Sequence, residues 1–326
     1  MGIDSRGQGV NPVYFVLCLL LLALWVNIFV IRTGCEVLIM FLPFFAGITA
    51  FLFQALFDRK PVLWLYSRSY PYRKLKAYGW ISAFLMFEFI LAWGLRTGQI
   101  SFNGWDPIIV NILLVGAIVY YHLFVRMKIS LRFLFLGAFV PLAATGLTLG
   151  LGSYFKILTF ILPGDKIGGV VFINSLYWVI VSVFLQAICE EPAFRGYLMQ
   201  KFLHKTEARA VIISSACYAL WRASFGLFTG NGIDEILILF LGNFITGSIF
   251  AVLFLKSRNL LAPVICHGIV NGMWRSFFAL ESNPGIGQYM KFVSPKTIFQ
   301  FTMLWYICLL MGLALLVSIP RKKIFA

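Results

Sequence analysis

Long apolar runs alternate with short polar and basic stretches from one end of this chain to the other. Each run is about twenty residues, long enough to cross a bilayer as a helix, since a run of about 18 apolar residues suffices. The pattern predicts ten spans, at residues 12–32, 35–57, 78–96, 108–125, 133–152, 168–189, 209–229, 235–255, 260–280 and 297–319. In hydrocarbon the backbone must satisfy its own hydrogen bonds, which helices do within a single segment. The expected fold is therefore all-α, a polytopic transmembrane helical bundle. The first run follows a single basic residue, Arg6, is long enough to span and has no small-x-small cleavage pattern after it, so it reads as a retained span.

Basic residues orient the bundle. Arg6, the stretch from Arg59 to Lys76, the groups Arg126–Arg132, Lys201–Arg209 and Lys256–Arg258, and the tail Arg321–Lys323 place eighteen of the 27 on one side of the alternating topology. Six fall on the other side (Arg32, Arg96, Lys156, Lys166, Lys291, Lys296), and Arg195, Arg222 and Arg275 lie within or beside spans. That bias predicts cytoplasmic termini. The same dispersal argues against nucleic-acid binding, even at a formal net charge of +15. With 61% hydrophobic and 12% charged residues, the chain is too apolar for a water-soluble fold, and the bilayer is its expected surroundings. The six cysteines show no CxxC spacing, and no HExxH or other ligand pattern occurs, so neither a metal nor a cofactor is expected. Trp64, Tyr66, Tyr70, Tyr72, Tyr78 and Trp80 cluster near span ends as headgroup anchors do, and Ser153 to Gly169 reads as an outer loop.

The polar residues inside the spans are unevenly placed. Cys189-Glu190-Glu191-Pro192-Ala193-Phe194-Arg195-Gly196 puts three ionisable side chains into six residues of an apolar region. Each costs about 2.5 to 17 kcal/mol in a bilayer, depending on method, so the cluster calls for a functional explanation. Glu191 and Arg195 are four apart and share a helix face, leaving Glu190 to another partner. Pro192 either kinks the helix or starts a new one. If the helix runs on to Phe202, Glu190 lies about 16 Å below the interfacial Lys201 at 1.5 Å per residue. In the ninth span His267 and Asn271 also share a face, and both can donate to a developing oxyanion. A structural ion pair and a general base are equally compatible with the glutamates alone; His267 and Asn271 at matching depth favour a site. Glu88 and Arg275 are at depths where a partner is expected, and Asn111, Asn174 and Asn243 suit interhelical hydrogen bonds. His122 and His204 read as interfacial.

Glu-Glu-x-x-x-Arg-Gly followed by His-x-x-x-Asn in a late span resembles the CAAX protease and bacteriocin-processing family (also labelled CPBP or Abi), which includes the type II CAAX prenyl endopeptidases. The resemblance covers roughly residues 168 to 280. It implies a metal-independent, glutamate-dependent intramembrane endopeptidase acting on a membrane-associated protein or peptide. Glu190 would match the water-activating glutamate, with Glu191 and Arg195 completing that motif, and His267 and Asn271 would match the oxyanion-binding pair. The middle motif, an aromatic and then a histidine, falls on Tyr218, Ala219, Leu220, Trp221 and Arg222, so arginine stands where the family has histidine. Arginine cannot accept a proton at any relevant pH. It can orient a carboxylate or stabilise an oxyanion, and it can equally lock Glu190 into a salt bridge.

The expected organisation is a five-span N-terminal region (1–165) of unassigned role, in which a partner protein could dock, a catalytic core (166–282), and a last span with a basic tail (283–326). A catalytically impaired member acting as a scaffold is the alternative. A transporter ranks last, because no repeated halves are visible. The basic inner face fits a bacterial cytoplasmic membrane.

Overall fold

The computed structural model describes residues 12–33, 43, 45–50, 53, 131–160, 175–203, 205–224, 232–277, 290–292 and 295–319. The spans expected at 78–96 and 108–125 lie outside the described residues, as do Glu88, Asn111, His122, Asn174 and His204, and the span at 35–57 is described only in part. What is described is helical apart from one short strand pair. Helix α1 is Pro12–Thr33 and α2 is Leu131–Tyr154. The third, α3, runs Ser175–Phe202. Then come α4 (Glu207–Ala223), α5 (Ile233–Ser257), α6 (Leu261–Phe277) and α7 (Pro295–Ser318). Among the described residues four helices are long and apolar enough to cross a membrane: α2, α3, α5 and α7. With the exposed apolar rims of α1, α2 and α7, this is an integral membrane helical bundle.

Helix α6 packs against α2, α3 and α5, and α5 also packs against α4 and α7. The α3–α6 contact is the tightest of those that matter for the site. A Cβ added to Gly268 would lie 2.1 Å from Val183 Cγ2, and one added to Gly272 would lie 2.5 Å from the Val179 backbone nitrogen. Gly268 and Gly272 are four apart, the small-xxx-small spacing that lets two helix backbones approach in lipid. Two helix starts are capped by side chains. Thr206 Oγ1 accepts from the Arg209 amide (3.2 Å) before α4, and Asn259 Oδ1 accepts from the Leu261 amide (2.8 Å) before α6.

Several expectations are corrected. The sixth span does not end at 189; α3 continues thirteen residues further, so the Glu-Glu motif is mid-helix. Pro192 does not start a new helix, since its backbone stays helical at φ −58°, ψ −37° within α3. It opens a wide π-helical segment, Pro192–Leu198, and a second such segment, Ser182–Ala187, precedes the motif. A wide turn relieves the clash between a proline ring and the carbonyl four residues back, and π turns inside α-helices are frequent at functional sites. Lys256 is not a solvated loop residue. It is buried and donates to Val317 O (3.2 Å) and to Ile319 O, capping the carbonyl end of α7. Asn243 bonds back to Leu239 O on its own helix (2.7 Å) rather than across helices. The region after α2 contains a strand, Leu158–Phe160, paired antiparallel with Met290–Phe292.

The close approach predicts an asymmetry between two glycine substitutions. Gly272→Ala forces α6 away from α3 and is expected to cost about 1–3 kcal/mol by overpacking. Gly146→Ala, inside α2 where an added Cβ meets nothing within 4 Å, carries no such cost and leaves the melting temperature unchanged or slightly raised. Thermal unfolding of the two variants in the same detergent checks this.

Candidate active site

The wide turns of α3 and the glycine seam of α6 bring the two motifs face to face. Glu190, Glu191, Arg195 and His267 are all fully buried. Arg195 Nη1 donates to Glu191 Oε1 at 3.1 Å, the four-residue pair expected from sequence. Its Nη2 donates to the carbonyl of Gly247 on α5 at 2.9 Å. The guanidinium lies over the rings of Tyr218 (4.7 Å) and Phe250 (5.2 Å), so aromatic faces complete its shell.

The same oxygen of Glu191 holds His267, whose Nδ1 is 2.7 Å away. An ionised carboxylate only accepts, so Nδ1 carries a proton, and in the neutral ring the lone pair is then on Nε2. Phe250 stacks on the imidazole at 4.8 Å and 11°, and Tyr218 meets it edge-on at 5.6 Å. Nε2 faces Tyr218 Oη at 3.3 Å and Glu190 Oε2 at 3.6 Å.

Glu190 is thus left out of the Glu191–Arg195 pair, as expected, and its two oxygens differ. Oε1 accepts long hydrogen bonds from Trp221 Nε1 and Arg222 Nη1, both 3.4 Å. Oε2 is buried and, like Glu191 Oε2 and Arg195 Nε, has no hydrogen-bond partner among the described residues; it alone of these faces His267 Nε2. Buried polar atoms in folded proteins are nearly always satisfied, so an exception of this kind marks a place where chemistry or a bound molecule is expected. Arg222 points at Glu190, its side chain one-fifth exposed.

Five of the six residues expected from sequence therefore form one contact network: Glu190, Glu191, Arg195, Arg222 and His267. Asn271 stands one turn further along α6. Its Nδ2 donates to Gln186 Oε1 at 2.9 Å instead of joining His267 on a common acceptor. The side chain of Arg275 lies outside the described residues. Gln186, Gly247 and Phe250 were missed in the sequence. Gln186 precedes Glu190 by four residues and was legible as a polar side chain on an apolar helix. Phe250, one phenylalanine among 34, carried no signal. The described cysteines Cys189, Cys217 and Cys266 are free thiols packed in or near the site, and among the described residues no cluster of metal-ligating side chains occurs.

Residues 172–273 match the family model described as type II CAAX prenyl endopeptidase Rce1-like. This stretch is similar to the CAAX-type membrane proteases that the model describes. It begins just ahead of α3 and ends within α6, so it holds every residue of the network. No curated protein matches the chain. The first five expected spans fall outside the match.

The network can hold two carboxylates in a buried place because two guanidiniums balance them. Removing Arg195 leaves Glu191 buried and half-paired, and breaking a buried pair by deleting one partner costs about 3–5 kcal/mol. Arg195→Leu is therefore expected to lower stability strongly in detergent unfolding. Arg222→Leu, at the partly exposed edge, is expected to lower it by much less.

Proposed function

We propose that the chain is an intramembrane endopeptidase in which Glu190 holds and polarises a water molecule for attack on a peptide bond. The observation that carries this is the asymmetry of Glu190. One oxygen is pinned by Trp221 and Arg222, while the other is buried with no hydrogen-bond partner among the described residues and is turned toward His267. A carboxylate clamped on one side and free on the other suits a positioned group that must bind the reacting water. Asn271, oriented by Gln186, supplies a carboxamide donor for the tetrahedral oxyanion, and Arg222 a charged one. Metal ions have no step in this scheme. The substrate is a membrane-associated protein or peptide reaching the site from the bilayer or the cytoplasmic side. On this reading the whole chain forms ten spans with cytoplasmic termini in a bacterial cytoplasmic membrane, and the N-terminal spans dock a partner or gate entry.

A second reading has its own observation. Arg222 reaches Glu190, which fits a silenced member acting as a membrane scaffold. The two separate cleanly. If the chain is a peptidase, Glu190→Ala and His267→Ala each abolish a defined set of processed termini when membrane and secreted proteins are compared with wild type. If it is a scaffold, every terminus is unchanged and a stoichiometric partner co-purifies with wild type and Glu190→Ala alike. Unchanged termini in both variants would end the peptidase reading.

A further inference from the structure

We infer that, in the peptidase reaction proposed above and resting on it, the water's proton passes to Nε2 of His267, with Glu191 as the residue that orients the ring. Three observations converge. Glu191 Oε1, itself held by Arg195, binds His267 Nδ1 at 2.7 Å. This fixes the tautomer in which Nε2 is an acceptor, the relation by which a buried carboxylate orients a catalytic imidazole. Next, Nε2 and Glu190 Oε2 face each other at 3.6 Å, both buried. Two acceptors so placed repel unless a hydrogen lies between them or a common donor serves both. A water molecule that takes over the long 3.3 Å contact of Tyr218 Oη with Nε2, donating one hydrogen to Oε2 and one to Nε2, satisfies both atoms and is thereby positioned for attack. Finally, the charges decide where the proton goes. Glu190 and Glu191 are matched by Arg195 and Arg222, so the cluster is balanced with a neutral imidazole. A proton arriving on Nε2 makes an imidazolium flanked by carboxylates at 2.7 and 3.6 Å. A proton arriving on Glu190 would instead leave the Arg222 guanidinium facing a neutral acid.

The step balances without any further reagent. One O–H bond of water breaks, its hydrogen joins Nε2, and the oxygen bonds to the peptide carbonyl carbon, whose oxygen takes up the negative charge. As the intermediate collapses, the C–N bond breaks and the proton on Nε2 moves to the leaving nitrogen. A new carboxyl end, a new amine and the neutral imidazole result. Position 222, where arginine can accept nothing, is then not required to hold the base, because α6 supplies it.

The test uses the full-length protein in membranes and reads the rate at which Glu190-dependent termini accumulate. Glu190→Gln comes first and defines those termini; if it changes none, the peptidase reading itself has failed. His267→Gln keeps a donor near the Nε2 position but cannot take up a proton in this range. It is expected to slow accumulation by about 100-fold or more, the usual scale of general-base catalysis, with rates normalised to folded protein because the Glu191 contact is lost. Adding Arg222→His to that variant returns an imidazole next to Glu190 and is expected to recover at least about tenfold. His267→Gln within about threefold of wild type overturns the inference, since a donor alone would then suffice. A full loss that Arg222→His does not relieve also overturns it, assigning His267 to oxyanion binding.

Discussion

The site depends on how closely α3 and α6 approach. At Gly268 and Gly272 there is no room for a side chain between α6 and Val179 or Val183 of α3. His267 and Asn271 each precede one of those glycines, so the seam that brings the backbones together also carries the polar side chains to the opposite helix. At that spacing a histidine reaches Glu191 and an asparagine reaches Gln186 directly. With a bulkier seam the same side chains would fall short, and buried carboxylates would be left in hydrocarbon. Close packing and a satisfied polar network are thus one requirement, met by one short stretch of α6.

The wide turns of α3 answer a related geometric demand. Glu190 and Glu191 are adjacent, yet each must meet its own arginine and the same imidazole. A π segment on either side of Ile188–Glu191 changes how successive residues fan around the helix. Pro192, which removes a donor, sits where the ladder is already being rewritten. The resulting cluster is electrically balanced: Arg195 holds Glu191 from within the fold and Arg222 holds Glu190 from its edge. Seen this way, arginine at position 222 clamps one oxygen of Glu190 and leaves the other turned toward His267.

Much of this was legible in the sequence, for reasons that differ by residue. Helices of about twenty apolar residues are dictated by bilayer thickness, so spans such as 12–32, 235–255 and 297–319 lie within a few residues of α1, α5 and α7. Glu190, Glu191, Arg195 and His267 stood out because charge and imidazole are costly in lipid. Helix α3 was cut short because a proline after two glutamates reads as an end, whereas a wide turn accommodates it. Lys256 reads as a loop residue in sequence because position along the chain does not reveal that the last carbonyls of α7 lie beside it. The glycine seam carried a spacing signal, Gly268-x-x-x-Gly272, but its partner on α3 could come only from three dimensions. Gln186 and Phe250 acquire meaning in the same way, through what α6 places against them.

The central claim is that water, directed by Glu190, cleaves a peptide bond in this site. The most direct measurement places the purified full-length protein in nanodiscs with a detergent-free membrane-protein extract in water enriched in oxygen-18. The new C-terminal carboxylates are then read by mass spectrometry. The account predicts new C-termini carrying one heavy oxygen with wild type and none above background with Glu190→Gln. Labelled termini appearing equally with both proteins, or with neither, would contradict it.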